Sequence, residues 1–141
     1  MSENLLDELK NRSLNEPYGK LLGMEVVSIT NGSALVSMKV RPELGNIFGA
    51  THGGALFSLI DEAFQLACNS HGVLSVALNV SITYVAAPTQ GCTLEAEAKE
   101  VHRTNKTASY QCRVSEQGGK LIATAQALAY RTGKDVRPKP H

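Results

Sequence analysis

The sequence predicts an α+β protein in which one antiparallel sheet wraps around one long central helix. Three observations carry this expectation. Apolar residues from Leu56 to Ala67 go most of the way round a helical wheel, so that helix must be surrounded by protein. After it the period changes from helical to alternating, and alternation returns in four successive runs. Finally, no Asp, Glu, Lys or Arg occurs between Ala63 and Leu94.

With 141 residues and no internal repeat or dividing linker, the chain is expected to form a single domain over residues 1–141. Its formal net charge of +1 gives no reason to expect nucleic acid or a membrane surface as partner. The charge-free segment is interrupted by Gln65, Asn69, His71, Gly72, Asn79 and Pro88, too often for a membrane span. It must therefore be buried by protein, and a chain this short cannot cover so much of itself. A homo-oligomer with its interface in the middle of the sequence is expected. Cys68, Cys92 and Cys112 form no CxxC pair and are odd in number, which favours free thiols in a reducing compartment. No basic start leads into an apolar run, so no signal peptide is expected and the location implied is cytoplasmic.

In chain order, residues 3–11 read as a short amphipathic helix with Leu5, Leu6 and Leu9 inward, within an N-terminal extension over 1–16. From Met24 to Val40 two alternating runs flank Asn31-Gly32, which favours a type I′ hairpin turn. A glycine-punctuated loop follows, and then the central helix, capped by Thr51 and running to about Ser70 before Gly72 stops it. In the next strand Val76, Leu78, Val80, Ile82 and Tyr84 share one face, opposite Ser75, Ala77, Asn79, Ser81 and Thr83. Strands over 92–103 and 107–115 flank Thr104-Asn105-Lys106, and a last strand runs from Lys120 to about Arg131. Its small residues, Ala123, Ala125, Ala127 and Ala129, suit a sheet that curves closely over a helix. Residues 132–141 are expected to form a disordered tail.

The chemistry concentrates where loop becomes helix. Gly53 and Gly54 leave the first helical amides uncovered, so a carbonyl oxygen or an anion can approach them. Asp61, two turns in, shares its face with Phe57, Phe64 and Cys68, and a carboxylate there is costly unless it is used. Glu62 lies about 100° further round and reads as a solvated or ion-paired side chain, with a second claim to be the base. His52 either bonds within the loop or holds a substrate carbonyl. No second His or Cys stands at ligand spacing from it, so no metal is expected. His71 and His102 read as surface residues. Asn46 either orients water or substrate or simply shapes a turn. Phe48, Phe57 and Phe64 line an acyl pocket or belong to the core.

The pattern Asn46-x5-His52-Gly53-Gly54-x6-Asp61, followed by a helix and an antiparallel sheet, resembles the hotdog-fold thioesterases of the phenylacetic-acid-degradation (PaaI-like) type. The resemblance runs from about Pro17 to Arg131. It implies a hotdog fold, subunits that pair as a dimer or a dimer of dimers, and hydrolysis of acyl-CoA or aryl-CoA thioesters without a cofactor. It places Asn46, His52, Gly53 and Asp61 on functional positions. Many members carry a Ser or Thr on the strand after the helix; here Ala77 falls there, with Ser75 as a possible stand-in. For the substrate, Gly54 and Phe57 are candidate contacts near the reacting centre, and Arg103 and Lys106 for the CoA phosphates.

Spacing adds a constraint independent of the family. Gly53 and Asp61 are eight residues apart, about 12 Å along a helix, and one carbonyl carbon cannot touch both. Two helices running antiparallel across a two-fold axis would bring them together. Two other functions compete: hydration or dehydration of acyl thioesters on the same fold, and non-catalytic acyl-CoA binding.

Overall fold

The computed structural model of the chain describes residues 2–137, with side chains from Leu5 onward. Helix α1 (Ser2–Leu14) and a short α2 (Pro17–Leu22) precede the hairpin of β1 (Glu25–Thr30) and β2 (Ser33–Lys39). A single 3-10 turn, Pro42–Leu44, leads to the central helix α3 (Gly53–Asn69). Four strands complete the chain: β3 (Val73–Tyr84), β4 (Thr93–Arg103), β5 (Thr107–Glu116) and β6 (Leu121–Asp135). All six strands form one antiparallel sheet in the order β1-β2-β4-β5-β6-β3. The strand that follows the helix therefore lies at an edge, beside the last strand.

The expected core is present. Leu59, Ile60, Ala63, Phe64 and Ala67 of α3 are fully buried against Val36, Met38, Leu94, Ala96 and Val114 of the sheet. Phe64 meets the Tyr110 ring edge-on at 5.5 Å. The four alanines of β6 are buried at 0–4% exposure, so the sheet does close tightly on the helix. Cys68 and Cys112 are buried free thiols.

Several expectations need correction. The N-terminal segment contains a second helix, α2, whose Pro17 at the first turn and left-handed Gly23 at the end are ordinary start and stop signals. The Asn31-Gly32 turn is not type I′, because Gly32 alone has positive φ, at 83°. Tertiary bonds hold it instead: the Gly32 amide donates to Ser70 Oγ at 2.7 Å, and Gly32 O accepts from the Glu100 amide at 2.8 Å. Strand β6 continues four residues past Arg131, where a disordered tail was expected. Val73 pairs with Asp135, and the Val136 carbonyl accepts from Arg12 Nη1 at 3.0 Å, so the extension is tied to β3 and α1. The rest of the expected tail, residues 138–141, lies outside the described residues.

The largest departure is in β3. Its register against β6 shifts between Ala77 and Asn79, so the alternation reverses there. Directly paired residues share a face. Val76 opposes the exposed Tyr130 and Ala77 the buried Ala129, whereas past the bulge Asn79 opposes Leu128 and Val80 opposes buried Ala127. Ser75 and Ala77 thus look toward α3 together with Val80 and Ile82, and Val76 looks away. On this open edge Val76, Leu78, Tyr84 and Val85 stay 48–55% exposed.

Candidate active site

The site residues fall into two groups at different points along α3. The first is the helix start. Asn46 N donates to Ala50 O at 2.7 Å, and Asn46 Oδ1 accepts from the amides of Phe48 at 2.9 Å and Ala50 at 3.1 Å. A bridge between Gly45 and Thr51 closes this loop. Thr51 is thereby held in extended backbone, buried, with no partner for Oγ1 among the described residues. The cap passes one residue on. His52, not Thr51, is the N-cap, its Nδ1 accepting from the Gly54 amide at 2.8 Å. In the neutral ring this leaves the proton on Nε2, at an exposed edge.

Gly53 opens the helix, and its amide has no acceptor among the described residues, as befits a first-turn N–H. Tyr84, at the end of β3, donates its hydroxyl to the Gly53 carbonyl at 3.1 Å. A Cβ on Gly53 would lie 3.2–3.3 Å from the Tyr84 ring, and one on Gly54 would lie 3.0 Å from His52 Nδ1. Glycine at both positions lets these rings close on the backbone. Ser58 and Tyr18 extend the network: Ser58 Oγ donates to Gly54 O at 2.8 Å and lies 2.7 Å from the Tyr18 hydroxyl. Sequence patterns gave no signal for Tyr18, because nothing marked α2 as an element that reaches α3.

The second group surrounds Asp61. Its carboxylate opens onto a cavity of about 500 Å³ shared with Glu16, Gln65, Leu74, Ser75 and Ala77. None of Asn46, His52, Gly53 or Gly54 lines that cavity. Burial first, and the charge of Glu16 second, hold the Asp61 carboxyl above its ordinary value of 3.8. Ser75 contributes little toward it, since its Oγ donates to Val73 O at 3.0 Å and its amide donates to Asn69 Oδ1 at 2.9 Å. Ala77 sits where an assisting hydroxyl was sought and offers none.

Glu62 is neither solvated nor ion-paired. It is buried at 6% exposure, accepting from Ser13 Oγ at 2.7 Å on one oxygen and from Gln65 Nε2 at 3.4 Å on the other. Helices α1 and α2 close over this flank of α3, which the sequence placed at the surface. Burial, and next a hydrogen bond to Glu16, push Glu62 up to about 8, with the Ser13 bond opposing them. Glu16 Oε1 is itself buried with no partner among the described residues, and the proton that the raised Glu62 carboxyl keeps can be donated to it.

That proton has a stability consequence. The native carboxyl is raised from 4.5 to about 8, so between those values the folded chain binds a proton that the unfolded chain has lost. Stability from this group is complete below that window and declines as pH rises through it. Glu62→Gln, which carries the donor permanently, is expected to flatten the fall of Tm between pH 6 and 9. Thermal melts across that range check this; parallel curves for the two proteins would exclude the proton retained on Glu62.

The remaining candidates separate. Phe64 is core, Phe57 is half-buried, and Phe48 stands out in solvent. His102 is exposed, whereas His71 is half-buried and bonds to Glu100 Oε1 at 2.8 Å. Arg103 lines a cleft with His71, Asn105 and Arg131, beyond the C-terminal end of α3, and Lys106 is exposed in the adjoining turn.

One antiparallel sheet wrapped on one long central helix defines the hotdog fold. The thioesterase superfamily model matches residues 48–123, and the chain belongs to that superfamily. It is 45% identical over 124 residues to a putative esterase of Archaeoglobus fulgidus, covering 88% of this chain and 80% of that one. It is 35% identical over 122 residues to the acyl-coenzyme A thioesterase PaaI of Escherichia coli, covering 86% and 87% of the two chains. The solved structure of the E. coli PaaI protein from the phenylacetic acid degradation operon superposes with a TM-score of 0.86 at 32% identity, over 92% of this chain and 96% of that one. A hypothetical thioesterase of Streptococcus pneumoniae, solved with coenzyme A, superposes with a TM-score of 0.75 at 28% identity, over 79% and 88%. Among the described residues no helix is long and apolar enough to cross a membrane.

Proposed function

We propose that the protein hydrolyses acyl-CoA or aryl-CoA thioesters at sites shared between two copies of the chain. The separation of the two half-sites carries this reading. The free Gly53 amide and the Asp61 carboxylate, eight residues apart on one straight helix, stand about 12 Å from each other. One copy alone therefore has a carboxylate without an oxyanion donor and a donor without a carboxylate. An antiparallel pair of α3 helices with Gly53 of one facing Asp61 of the other has its two-fold axis near Phe57. Along β3, Tyr84 touches Gly53 and Ala77 lines the Asp61 cavity. The same two-fold then crosses β3 near Val80, the middle of its open, apolar edge. Helix and strand give one consistent axis.

The chemistry follows from the leaving group. CoA departs as a thiolate whose conjugate acid resembles a cysteine thiol, with pKa of about 8.5, so a dedicated general acid is dispensable. Asp61 takes a proton from water as the water oxygen bonds to the carbonyl carbon, or attacks that carbon itself. The Gly53 amide, aided by the positive end of α3, stabilises the oxyanion, and the C–S bond then breaks. The His52 Nε2–H is a further donor at the same helix start. Arg103 and Lys106 are assigned to the CoA phosphates, and Asn46 to building the loop. The coenzyme A bound to the pneumococcal neighbour supports the substrate class.

The test is thiol release across aryl-CoA and short- and long-chain acyl-CoA thioesters, run beside an enoyl-CoA assay that follows loss of conjugation. Hydrolysis of at least one class with free thiol formed is expected. Loss of conjugation without thiol would assign the fold to hydration instead, and tight binding without either change would make it an acyl-CoA sensor.

A further inference from the structure

Among the described residues the most exposed large apolar side chains are consecutive: Ile47 at 91% and Phe48 at 85%. They do not sit on a loose loop. The Asn46 side chain holds the amides of Phe48 and Ala50, Gly49 N donates to Asn46 O at 3.1 Å, and the Gly45–Thr51 bridge pins the base. A rigid turn therefore presents an aromatic ring to water, a placement with no benefit to the isolated chain.

The turn runs directly into Gly53. Under the shared-site reading above, on which this inference rests, Gly53 faces the partner subunit's Asp61. Continuing the antiparallel register past the helix start carries the turn along the partner's α3 in the direction of its C-terminus. The part of α3 reached there, represented in this chain by Gln65 and Asn69, is the floor of the Asp61 cavity, and Leu74 and Ala77 form an apolar wall beside it. An open cavity with an apolar wall and an exposed aromatic are thus brought together by one two-fold operation.

We infer that Phe48 of each copy closes the acyl pocket over Asp61 of the other and sets which acyl groups fit. Ile47 seats the turn on the neighbouring subunit. Phe48 is a specificity-determining residue acting in trans, on a substrate class of acyl and aryl groups large enough to touch its ring.

The test uses mixed oligomers. Phe48→Ala and Asp61→Asn chains carrying different tags are co-expressed and the mixed species is purified through both tags. The Phe48→Ala homo-oligomer is expected to keep its assembly and to shift the kcat/KM ratio of aryl-CoA to long-chain acyl-CoA by about tenfold, mainly through KM; a loss of one well-packed ring contact is of that size. In the mixed oligomer every working Asp61 lies on a Phe48→Ala chain and faces an intact Phe48 of the other chain. Wild-type selectivity is therefore expected at reduced total activity. Mutant selectivity in the mixed species, or an unchanged ratio in the Phe48→Ala homo-oligomer, overturns the inference. Phe48→Leu repeats the comparison with a smaller change in surface. Should the Asp61→Asn homo-oligomer remain fully active, the shared-site reading itself fails, which is distinguishable from failure of Phe48.

Discussion

Asp61→Asn is expected to lower kcat for thiol release by roughly 10²–10⁴-fold without lowering Tm. The carboxylate makes no hydrogen bond or ion pair with any described residue, so the amide replaces it without orphaning a partner. It also removes a negative charge beside the charge of Glu16 and beside Glu62, whose burial already disfavours ionisation. The melting temperature should hold or rise as the rate collapses, the mark of a site kept at some expense to stability. The pH profile supplies an independent check. Asp61 acts when ionised, and burial raises its pKa, so kcat should climb with pH along a limb lying above the ordinary 3.8. A rate within tenfold of wild type, or the same limb in the variant, would remove Asp61 from the chemistry.

Leu78→Asp tests the second copy. Leu78 sits at the bulge of β3, 55% exposed and on the open edge of the sheet, so the isolated chain tolerates a polar side chain there. In a pair centred near Val80 it is covered. A carboxylate desolvated without a partner costs several kcal/mol, and the two-fold inserts it twice. The expected result is a folded monomer whose kcat/KM falls by about 10²–10³, the loss associated with one oxyanion donor. Activity should return as protein concentration rises. Sedimentation and activity measured together decide it: a fully active monomer would show that one chain holds a complete site.

The sequence made the fold legible wherever a single face was buried. The wheel of α3, the alternation of β2, β4 and β5, and the alanines of β6 all report contact with one core. It misled at places that depend on more than period. The β3 pattern alternated without a break from Ser75 to Tyr84, yet the strand carries an extra residue at Leu78, and bulges concentrate at sheet edges. Thr51 was the better cap by residue type, but the bridge to Gly45 fixed its backbone and passed the role to His52. Glu62 read as solvated because α1 and α2 were not expected to lie over it. The residues proposed for the site, Asp61 and the glycine pair, stood out because each broke a local rule: a carboxylate among aromatics, and two helix-weakening residues at a helix start.

The bulge in β3 holds one residue that its ladder with β6 does not count. Ala77 pairs with Ala129 and Asn79 with Leu128, so Leu78 stands between neighbouring rungs with no opposite residue of its own. Deleting Leu78 would leave both rungs paired as they are, with Ser75 and Ala77 still toward α3 and the space beside Asp61 unchanged. What it would remove is an apolar side chain from the open edge, so a relative of this protein could trim the surface it offers a second copy through one lost codon, a change that position-by-position comparison of residues would record only as a gap.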